Sequence, residues 1–439
     1  MSHRQESGRR VVITGLGILS PLGIGVGPFL ENLAAGKSGL STVELMSYSA
    51  APRNVGGEVK EFTEKSARKT YLTQQRKSIK VMCREIQMGV ASASLAMENS
   101  GLSSDDVDPE RFGVDFGANL MFSPPEVLMD ACWLCVEEGD PDRRFHYDRW
   151  GGIGLPGMQP LWLLRYLPNM PACHIGISAD ARGPNNSITL DEASGNLALG
   201  EASRIILRDQ ADVMIAGTTG TRLHPVKTLH AALWDELANS DDAPQTWCRP
   251  FDLNRKGQVL GEGACSFILE EESHARNRGA KVLGSVLGIG SSCVADRGGK
   301  PRVSQALVNA MRAALRDADL QPEEIGHLNA HGLGTKRADL EETQAIQEVF
   351  GRYSQKLPVT ALKSFLGNSG SGCGTLELAG SLLALQHGVV PATLNYETPD
   401  PACALNVVHG EPLPVSNRRV MNVNVTRMGQ ASALIVSVE

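Results

Sequence analysis

The chain has 439 residues, more than one ordinary hydrophobic core holds, so two domains or one duplicated α/β unit are expected. A hydrophobic content of 42% with 46 glycines is typical of a compact protein with many loops and excludes a disordered chain. The net charge of −7 argues against a nucleic-acid-binding protein, which usually presents a basic face. We therefore expect no nucleic-acid partner.

The sequence also predicts the compartment. No apolar run approaches the roughly 20 residues that span a membrane, and residues 1–10 are polar, unlike a signal or transit peptide. The nine cysteines are scattered, which indicates reduced thiols. Cys132 and Cys135 have CxxC spacing, but no second CxxC or nearby histidine pair completes a zinc site, so packing is favoured. We expect a cytoplasmic protein with no membrane span, no metal and no cofactor.

The first part of the chain alternates strand and helix patterns. Its predicted elements are a strand within residues 9–23, a helix ending at Gly36, an amphipathic helix ending at Gly101 and a strand within residues 111–120. Gly15, Gly17 and Gly23 are interpreted as a turn after the first strand, and no third glycine opens a helix as a dinucleotide fingerprint requires. Residues 121–180 are irregular, and we interpret them as a lid or a partner-facing insertion.

Two later segments echo each other. Residues 191–217 and residues 370–395 both run from a small-residue turn into an alanine- and leucine-rich helix and then a strand. The strand–helix alternation predicts a layered α/β fold with mainly parallel sheets. We place the first half at residues 1–253, including the insertion at about 121–180, and the second half at residues 254–439.

Several long strings now carry a family resemblance. The chain resembles the β-ketoacyl-acyl carrier protein synthases, the KAS II-like condensing enzymes of the thiolase superfamily, over nearly its whole length. The strings are RRVVITGLGILSPLG (9–23), GPNNSITLDEASG (183–195), RPFDLNRKGQVLGEGA (249–264), NAHGLGTKRADLEE (329–342), ALKSFLGNSGSG (361–372) and VVPATLN (389–395).

The resemblance implies both a fold and a chemistry. The expected fold is the thiolase fold, five layers in the order αβαβα built from two duplicated halves, and the family's members usually form dimers through the strand near the nucleophile. The chemistry expected of the family uses a cysteine thiolate at a helix N-terminus to carry an acyl thioester. Two histidines assist decarboxylation of a malonyl-acyl carrier protein, and the carbanion attacks the thioester. An acyl carrier protein is therefore an expected partner.

The family's site pattern is altered in this chain. Glu192 stands where the nucleophilic cysteine belongs, and none of the nine cysteines is near it in sequence. His331 keeps the first histidine and Lys363 keeps the lysine, whereas Asn368 falls at the second histidine. Arg427 stands at the position of the family's gating phenylalanine. These five are the candidate site residues.

Three functions follow from the altered pattern. The favoured one is a chain-length-factor-type subunit of fatty acid or polyketide synthesis that partners a cysteine-containing ketosynthase, as a heterodimer; a homodimer is the alternative. In it, an ionised Glu192 plugs the site by pairing with His331, Lys363 or Arg427. The second is a malonyl-acyl carrier protein decarboxylase that supplies starter units, with His331 and Asn368 as an oxyanion site and a protonated Glu192. The third is an active condensing acyltransferase with altered chemistry.

Three further acids receive structural interpretations. Asp191 is predicted to be an ordinary first-turn residue of the helix after the turn, where a carboxylate favours the helix dipole. Asp339 and Glu342 form an acidic pair that is typical of the family, and we expect them to support the start of a helix.

Overall fold

A computed structural model describes residues 8–46 and 49–439, so part of the predicted polar N-terminal segment, residues 1–7, lies outside the described residues. Ten strands succeed one another across the main sheet in the described part of the chain. They are β1 (Val11–Ser20), β2 (Phe112–Ala118), β3 (Asn185–Ile188), β4 (Val213–Thr221), β5 (Glu262–Glu271), β6 (Gly284–Cys293), β7 (His327–Asn329), β8 (Val359–Thr360), β9 (Arg419–Val425) and β10 (Gln430–Val438).

The strand order repeats about the middle of the sheet. It is β8-β7-β9-β10-β6-β1-β5-β4-β2-β3, so each half places its own first, fifth, fourth, second and third strand outward from the centre. The directions repeat as well, because β4-β2-β3 and β9-β7-β8 are parallel and the other neighbours are antiparallel. The predicted duplication is therefore confirmed, whereas the expectation of mainly parallel pairing is wrong: the sheet is mixed.

Helices of nine or more residues accompany the sheet, and most of them pack against its strands. They are α1 (Val26–Ala34), α2 (Arg84–Ser100), α3 (Pro125–Trp133), α4 (Met170–Ala179), α5 (Ser194–Leu207), α6 (Pro225–Trp234), α7 (Val303–Ala318), α8 (Lys336–Phe350) and α9 (Cys373–Gln386). Shorter helices and strands complete the described chain, among them helices Glu64–Ser66, Tyr147–Arg149, Glu272–Asn277 and Lys363–Leu366 and strand pairs Leu40–Thr42 with Val55–Gly57 and Val389–Val390 with Leu413–Pro414.

Five layers follow from the contacts of these helices. Helices α5 and α9 touch strands of both halves and each other, so they form the central layer. Helix α2 packs outside β1, β4 and β5, and helix α7 packs outside β6 and β10 with α8 beside it. Three large hydrophobic clusters fill the spaces between these layers. The αβαβα order expected from the sequence is confirmed.

Glycines of the first strand set how closely α2 approaches. Gly15 and Gly17 lie within β1, which continues to Ser20, so the predicted turn at these two residues is wrong. A Cβ at Gly17 would stand 1.9 Å from the carbonyl oxygen of Ser92 in α2, which leaves no room for a side chain. The helix itself ends as predicted, because Gly101 follows it in the left-handed conformation.

The two central helices begin alike and cross where both carry glycine. A 3₁₀ turn precedes each helix, at Asp191–Ala193 before α5 and at Gly370–Gly372 before α9. A Cβ at Gly195 would lie 3.0 Å from the Cα of Gly374. This close crossing brings the two turns, one from each half, to the same place in the molecule.

Three further predictions concern the organisation of the chain: a boundary, an insertion and the absence of a membrane span. The boundary between residues 253 and 254 remains a prediction, and the strand repeat suggests placing it later, between β5 and β6. Residues 121–180 contain α3 and many irregular turns before α4, and their role as a lid or partner surface also remains a prediction. In the part of the chain that the structure describes, no helix is both long and apolar enough to cross a membrane.

The helix crossing predicts the cost of one added methyl group. Gly195→Ala should lower the free energy of unfolding by about 1–3 kcal/mol, because its Cβ meets backbone atoms that cannot move aside separately. Chemical denaturation measures the change. Gly27→Ala in α1 is the matched control, since a Cβ there meets nothing within 4 Å, and it should change stability by less than about 1 kcal/mol. Equal effects from both variants would contradict the close crossing.

Candidate active site

Glu192 lies at the bottom of a cavity, in the 3₁₀ turn that leads into α5. The residue is only 5% exposed, although its side chain carries a charge. It lies next to the N-terminus of α5. The preceding Asp191 has a positive φ of 41°, a backbone conformation that Asp tolerates better than most residues. Asp191 lies in the 3₁₀ turn before α5 and not in the first turn of α5, so its predicted role is wrong, and its positive φ places a bend directly before Glu192.

Two donors converge on one oxygen of the Glu192 carboxylate. Arg222 Nη2 donates to Oε1 at 2.6 Å, and Asn368 Nδ2 donates to the same atom at 3.0 Å. Within the described residues, the Glu192 side chain makes no hydrogen bond or ion pair with His331, Lys363 or Arg427. The predicted pairing partners are therefore wrong. Arg222 directly follows the carboxyl end of β4, and its side chain takes the position beside the Glu192 carboxylate.

The charge of Glu192 follows from these contacts. Burial raises the pKa of its carboxyl, but the Arg222 guanidinium and the Asn368 amide outweigh burial and leave the pKa below its ordinary value. Glu192 is therefore ionised at neutral pH and forms a compensated pair with Arg222, whose side chain is 17% exposed.

The amide of Asn368 is fully used. Besides the bond to Glu192, its Nδ2 donates to Gln258 Oε1 at 2.6 Å, so both amide hydrogens have acceptors. Its Oδ1 accepts the Gly370 N–H at 3.0 Å and the Cys373 thiol at 3.2 Å. Asn368 thus holds Glu192 in place and keeps no donor for another ligand.

His331 and Lys363 lie together, as the sequence strings predict. Lys363 Nζ donates to Glu377 Oε1 at 2.7 Å and to the His331 carbonyl at 2.8 Å, and it lies 3.2 Å from His331 Nδ1. Burial lowers the pKa of Lys363, but the Glu377 carboxylate outweighs burial and raises it, so the amine is protonated. Burial and the cations Lys363 and Arg222 hold the pKa of His331 well below its ordinary value. His331 is therefore neutral, with Nδ1 accepting and the proton on Nε2.

The acidic pair has a different role from the one predicted. Glu342 accepts the backbone N–H groups of His331 and Gly332 at 2.7 and 2.8 Å. Asp339 accepts those of Phe251 and Gly334 at 2.8 and 3.0 Å. Both carboxylates lie in the first turns of α8, but their function is to hold the loop that carries His331.

The cavity above Glu192 measures about 740 Å³ and is lined by Glu192, Arg222, Gln258 and His331 among others. Arg427 lies at its wall with a side chain that is 61% exposed, and its nearest acid is Asp235 at 3.8 Å. Arg427 therefore does not fill the site. Among the described residues, no group of three or more His, Cys, Asp or Glu is placed to hold a metal ion.

Sequence reasoning missed three residues of this site. Arg222 lies in no quoted string, whereas Gln258 lies in the string 249–264 and Cys373 in the echo segment 370–395 without either being named as a site residue. Cys373 is 2% exposed, and its thiol donates to Asn368. The available signal was position: Arg222 directly follows the apolar strand β4, and Cys373 begins the helix that echoes α5.

Removing Arg222 should expose the cost of a buried, unpaired carboxylate. In the wild type the pKa of Glu192 is lower folded than unfolded, so its ionised form adds stability that is lost as pH falls through the folded pKa. In Arg222→Met, no guanidinium offsets the burial of Glu192, so the pKa of its carboxyl rises above the ordinary value. The variant should lose about 3–5 kcal/mol of unfolding free energy at neutral pH and less as the carboxyl becomes protonated. Urea denaturation across pH measures both.

The matched control is the double variant Arg222→Met with Glu192→Gln. It removes both charges and keeps an amide at residue 192, so its stability should exceed that of Arg222→Met at neutral pH. A deficit of Arg222→Met that stays constant with pH would show that the lost stability does not come from the Glu192 charge.

The comparisons with known proteins identify the family of the chain. The family model "Beta-ketoacyl synthase, N-terminal domain" matches residues 8–275, and "Beta-ketoacyl synthase, C-terminal domain" matches residues 283–397. A 3-oxoacyl-[acyl-carrier-protein] synthase 2 of Coxiella burnetii is 33% identical, with 98% of each chain covered.

Solved structures show the same fold. The chain is similar to the ishigamide ketosynthase/chain length factor with a TM-score of 0.82 and 28% identity, covering 98% of this chain and 99% of that one. It is also similar to one chain of a solved complex between a type II polyketide synthase acyl-carrier protein and its ketosynthase, with a TM-score of 0.82, 26% identity and coverage of 98% of this chain and 100% of that one. The thiolase fold is confirmed, and the chain belongs to the β-ketoacyl synthase family.

Proposed function

We propose that this protein is a ketosynthase-like subunit of fatty acid or polyketide synthesis that does not itself condense acyl groups and that partners a cysteine-containing ketosynthase, as a chain-length-factor-type subunit. One observation carries the proposal: an ionised Glu192, held by Arg222 and Asn368, occupies the position that the family resemblance assigns to the nucleophile.

Condensation by this chain alone meets a chemical obstacle. An acyl-glutamyl anhydride is far more labile than the thioester that a cysteine carries. The cysteine that lies by the site, Cys373, is buried, and burial raises the pKa of its thiol to about 11. It hydrogen-bonds to Asn368 and does not line the cavity. Neither group supports the acyl-transfer step.

A partner surface is supported by exposed apolar side chains. Eight exposed large hydrophobic residues lie between residues 129 and 163, inside the segment interpreted as a partner-facing insertion: Met129, Trp133, Leu134, Tyr147, Ile153, Leu155, Leu161 and Leu163. The end strand β3 has no neighbour on its outer edge among the described residues. Helix α4 packs against β3 and exposes Ile177 by 78%. An unpaired edge beside apolar side chains is typical of an interface.

One substitution should separate partner binding from folding. Ile177→Asp should abolish copurification with a co-expressed cysteine-containing ketosynthase, because it places a charge in a desolvated interface. Its own unfolding free energy should change by no more than about 0.5 kcal/mol, since the side chain is exposed. Affinity purification followed by size-exclusion chromatography measures the complex.

Leu253→Asp is the matched control, since Leu253 is 42% exposed in a loop away from β3 and α4. It should leave copurification unchanged. A wild-type protein that forms a stable homodimer and ignores every co-expressed ketosynthase would contradict the proposed heterodimer.

The acyl carrier protein remains a proposed second partner. Six exposed cations, none of them in an ion pair with a described acid, lie within residues 65–80: Lys65, Arg68, Lys69, Arg76, Lys77 and Lys80. This is a dense run of positive side chains in a chain of net charge −7, and it suits an acidic partner. A carrier protein with an anionic surface fits that run.

The decarboxylase remains the second candidate, because one observation favours it. Arg222 compensates the charge of Glu192, so repulsion of a substrate carboxylate is weaker than for an isolated anion. Against it, both amide hydrogens of Asn368 are committed to Glu192 and Gln258. His331 Nε2 then remains the one donor of the expected pair for an enolate oxygen.

The two candidates differ in a direct measurement. The isolated wild-type protein should release no carbon dioxide from a radiolabelled malonyl-acyl carrier protein above the buffer rate, because the oxyanion site lacks the Asn368 donor. An active ketosynthase serves as the positive control. Release that disappears in His331→Ala would favour the decarboxylase and overturn the non-catalytic function.

A further inference from the structure

The Glu192 carboxylate is bound as a ligand is bound. Its Oε1 accepts from a guanidinium at 2.6 Å and from an amide at 3.0 Å, and these two donors come from different halves of the fold. Both Glu192 and Arg222 line the cavity of about 740 Å³, so the bound oxygen lies at the end of an accessible space. A charge-assisted hydrogen bond together with a hydrogen bond from an amide group, both to one oxygen, is a common arrangement for recognising carboxylates.

The two donors are held independently of Glu192. Asp235 Oδ2 lies 3.7 Å from Arg222 Nη1, the terminal guanidinium nitrogen that does not bind Glu192. Gln258, Gly370 and Cys373 fix the Asn368 amide in orientation. The receptor groups should therefore keep their places when the Glu192 side chain is shortened.

We propose that Arg222 and Asn368 form a binding site for a short aliphatic carboxylate, which the protein's own Glu192 occupies as a tethered ligand. This inference rests on the proposed function, in which Glu192 blocks the site. Carboxylate binding itself requires neither a partner protein nor a reaction. It predicts that the site recognises the acid group and one or two carbons beyond it.

The size of the free ligand follows from the atoms removed. Glu192→Ala deletes a CH₂ group and the carboxylate, which together correspond to acetate. Glu192→Gly deletes one more carbon, which corresponds to propionate. A matched methylene contributes about four-fold in affinity, so the preferred acid should lengthen by one carbon between the two variants.

The experiment is a thermal-unfolding titration of the full chain. Sodium acetate and sodium propionate are titrated against sodium chloride at equal ionic strength, and the apparent Kd is taken from the shift in Tm. Acetate should raise the Tm of Glu192→Ala saturably. Propionate should bind Glu192→Gly about four-fold more tightly than acetate does.

Three controls isolate the site. The wild type and Glu192→Gln should show no carboxylate-specific shift, because a side chain still fills the site. Glu192→Ala with Arg222→Met should bind acetate at least ten-fold more weakly than Glu192→Ala. Equal shifts in chloride and acetate, or equal binding by the double variant, would overturn the inference.

Folding failure is also informative. If Glu192→Ala does not fold in chloride, Glu192→Ala and Glu192→Ser are refolded in acetate. Recovery of folding that requires the carboxylate supports the binding site. Failure of both variants to recover contradicts the binding site. Failure of the wild-type protein to copurify with any co-expressed ketosynthase, together with acetate binding by Glu192→Ala, would instead refute the proposed function alone.

Discussion

The Glu192–Arg222 ion pair is the interaction around which this site is organised. A buried ion pair adds little net stability, because desolvation of both charges offsets their attraction, yet removing one partner leaves a costly unpaired charge. The pair therefore acts as a constraint more than as a source of stability. The pair fixes the turn before α5 to the end of β4. Because Glu192 also accepts a hydrogen bond from the Asn368 amide, the pair determines which donors of the site remain free.

The site is divided between the two halves of the fold. Glu192 and Arg222 come from the first half, whereas His331, Lys363 and Asn368 come from the second. They meet because Gly195 and Gly374 allow α5 and α9 to cross closely. Behind them, Lys363 binds Glu377, and Glu377 accepts from Asn424 at 2.7 Å. The residues of the site are thus supported by a packed, hydrogen-bonded interior.

The fold and four site residues could be predicted from sequence, and the contacts among them could not. Long strings located Glu192, His331, Lys363 and Asn368, and the echo between the two helix segments predicted the duplication. Arg222 was missed because a contact between residues 192 and 222 depends on how the chain folds back through α5 and β4, not on spacing. Arg427 was placed in the site by alignment, but its flanking loop turns outward and leaves it 61% exposed. The mixed strand directions arise from the return of β5 and β10 against their neighbours, which alternating patterns do not encode.

The duplicated 3₁₀ turns have a consequence for how such a protein changes its chemistry. Ser371 in the second turn is fully buried and 3.3 Å from Ser194, so that copy is committed to holding the interior together. The first copy alone opens to a cavity. A substitution in the first turn is therefore limited mainly by the size and charge that the cavity and Arg222 accommodate, whereas a substitution in the second turn must also preserve a close-packed interior.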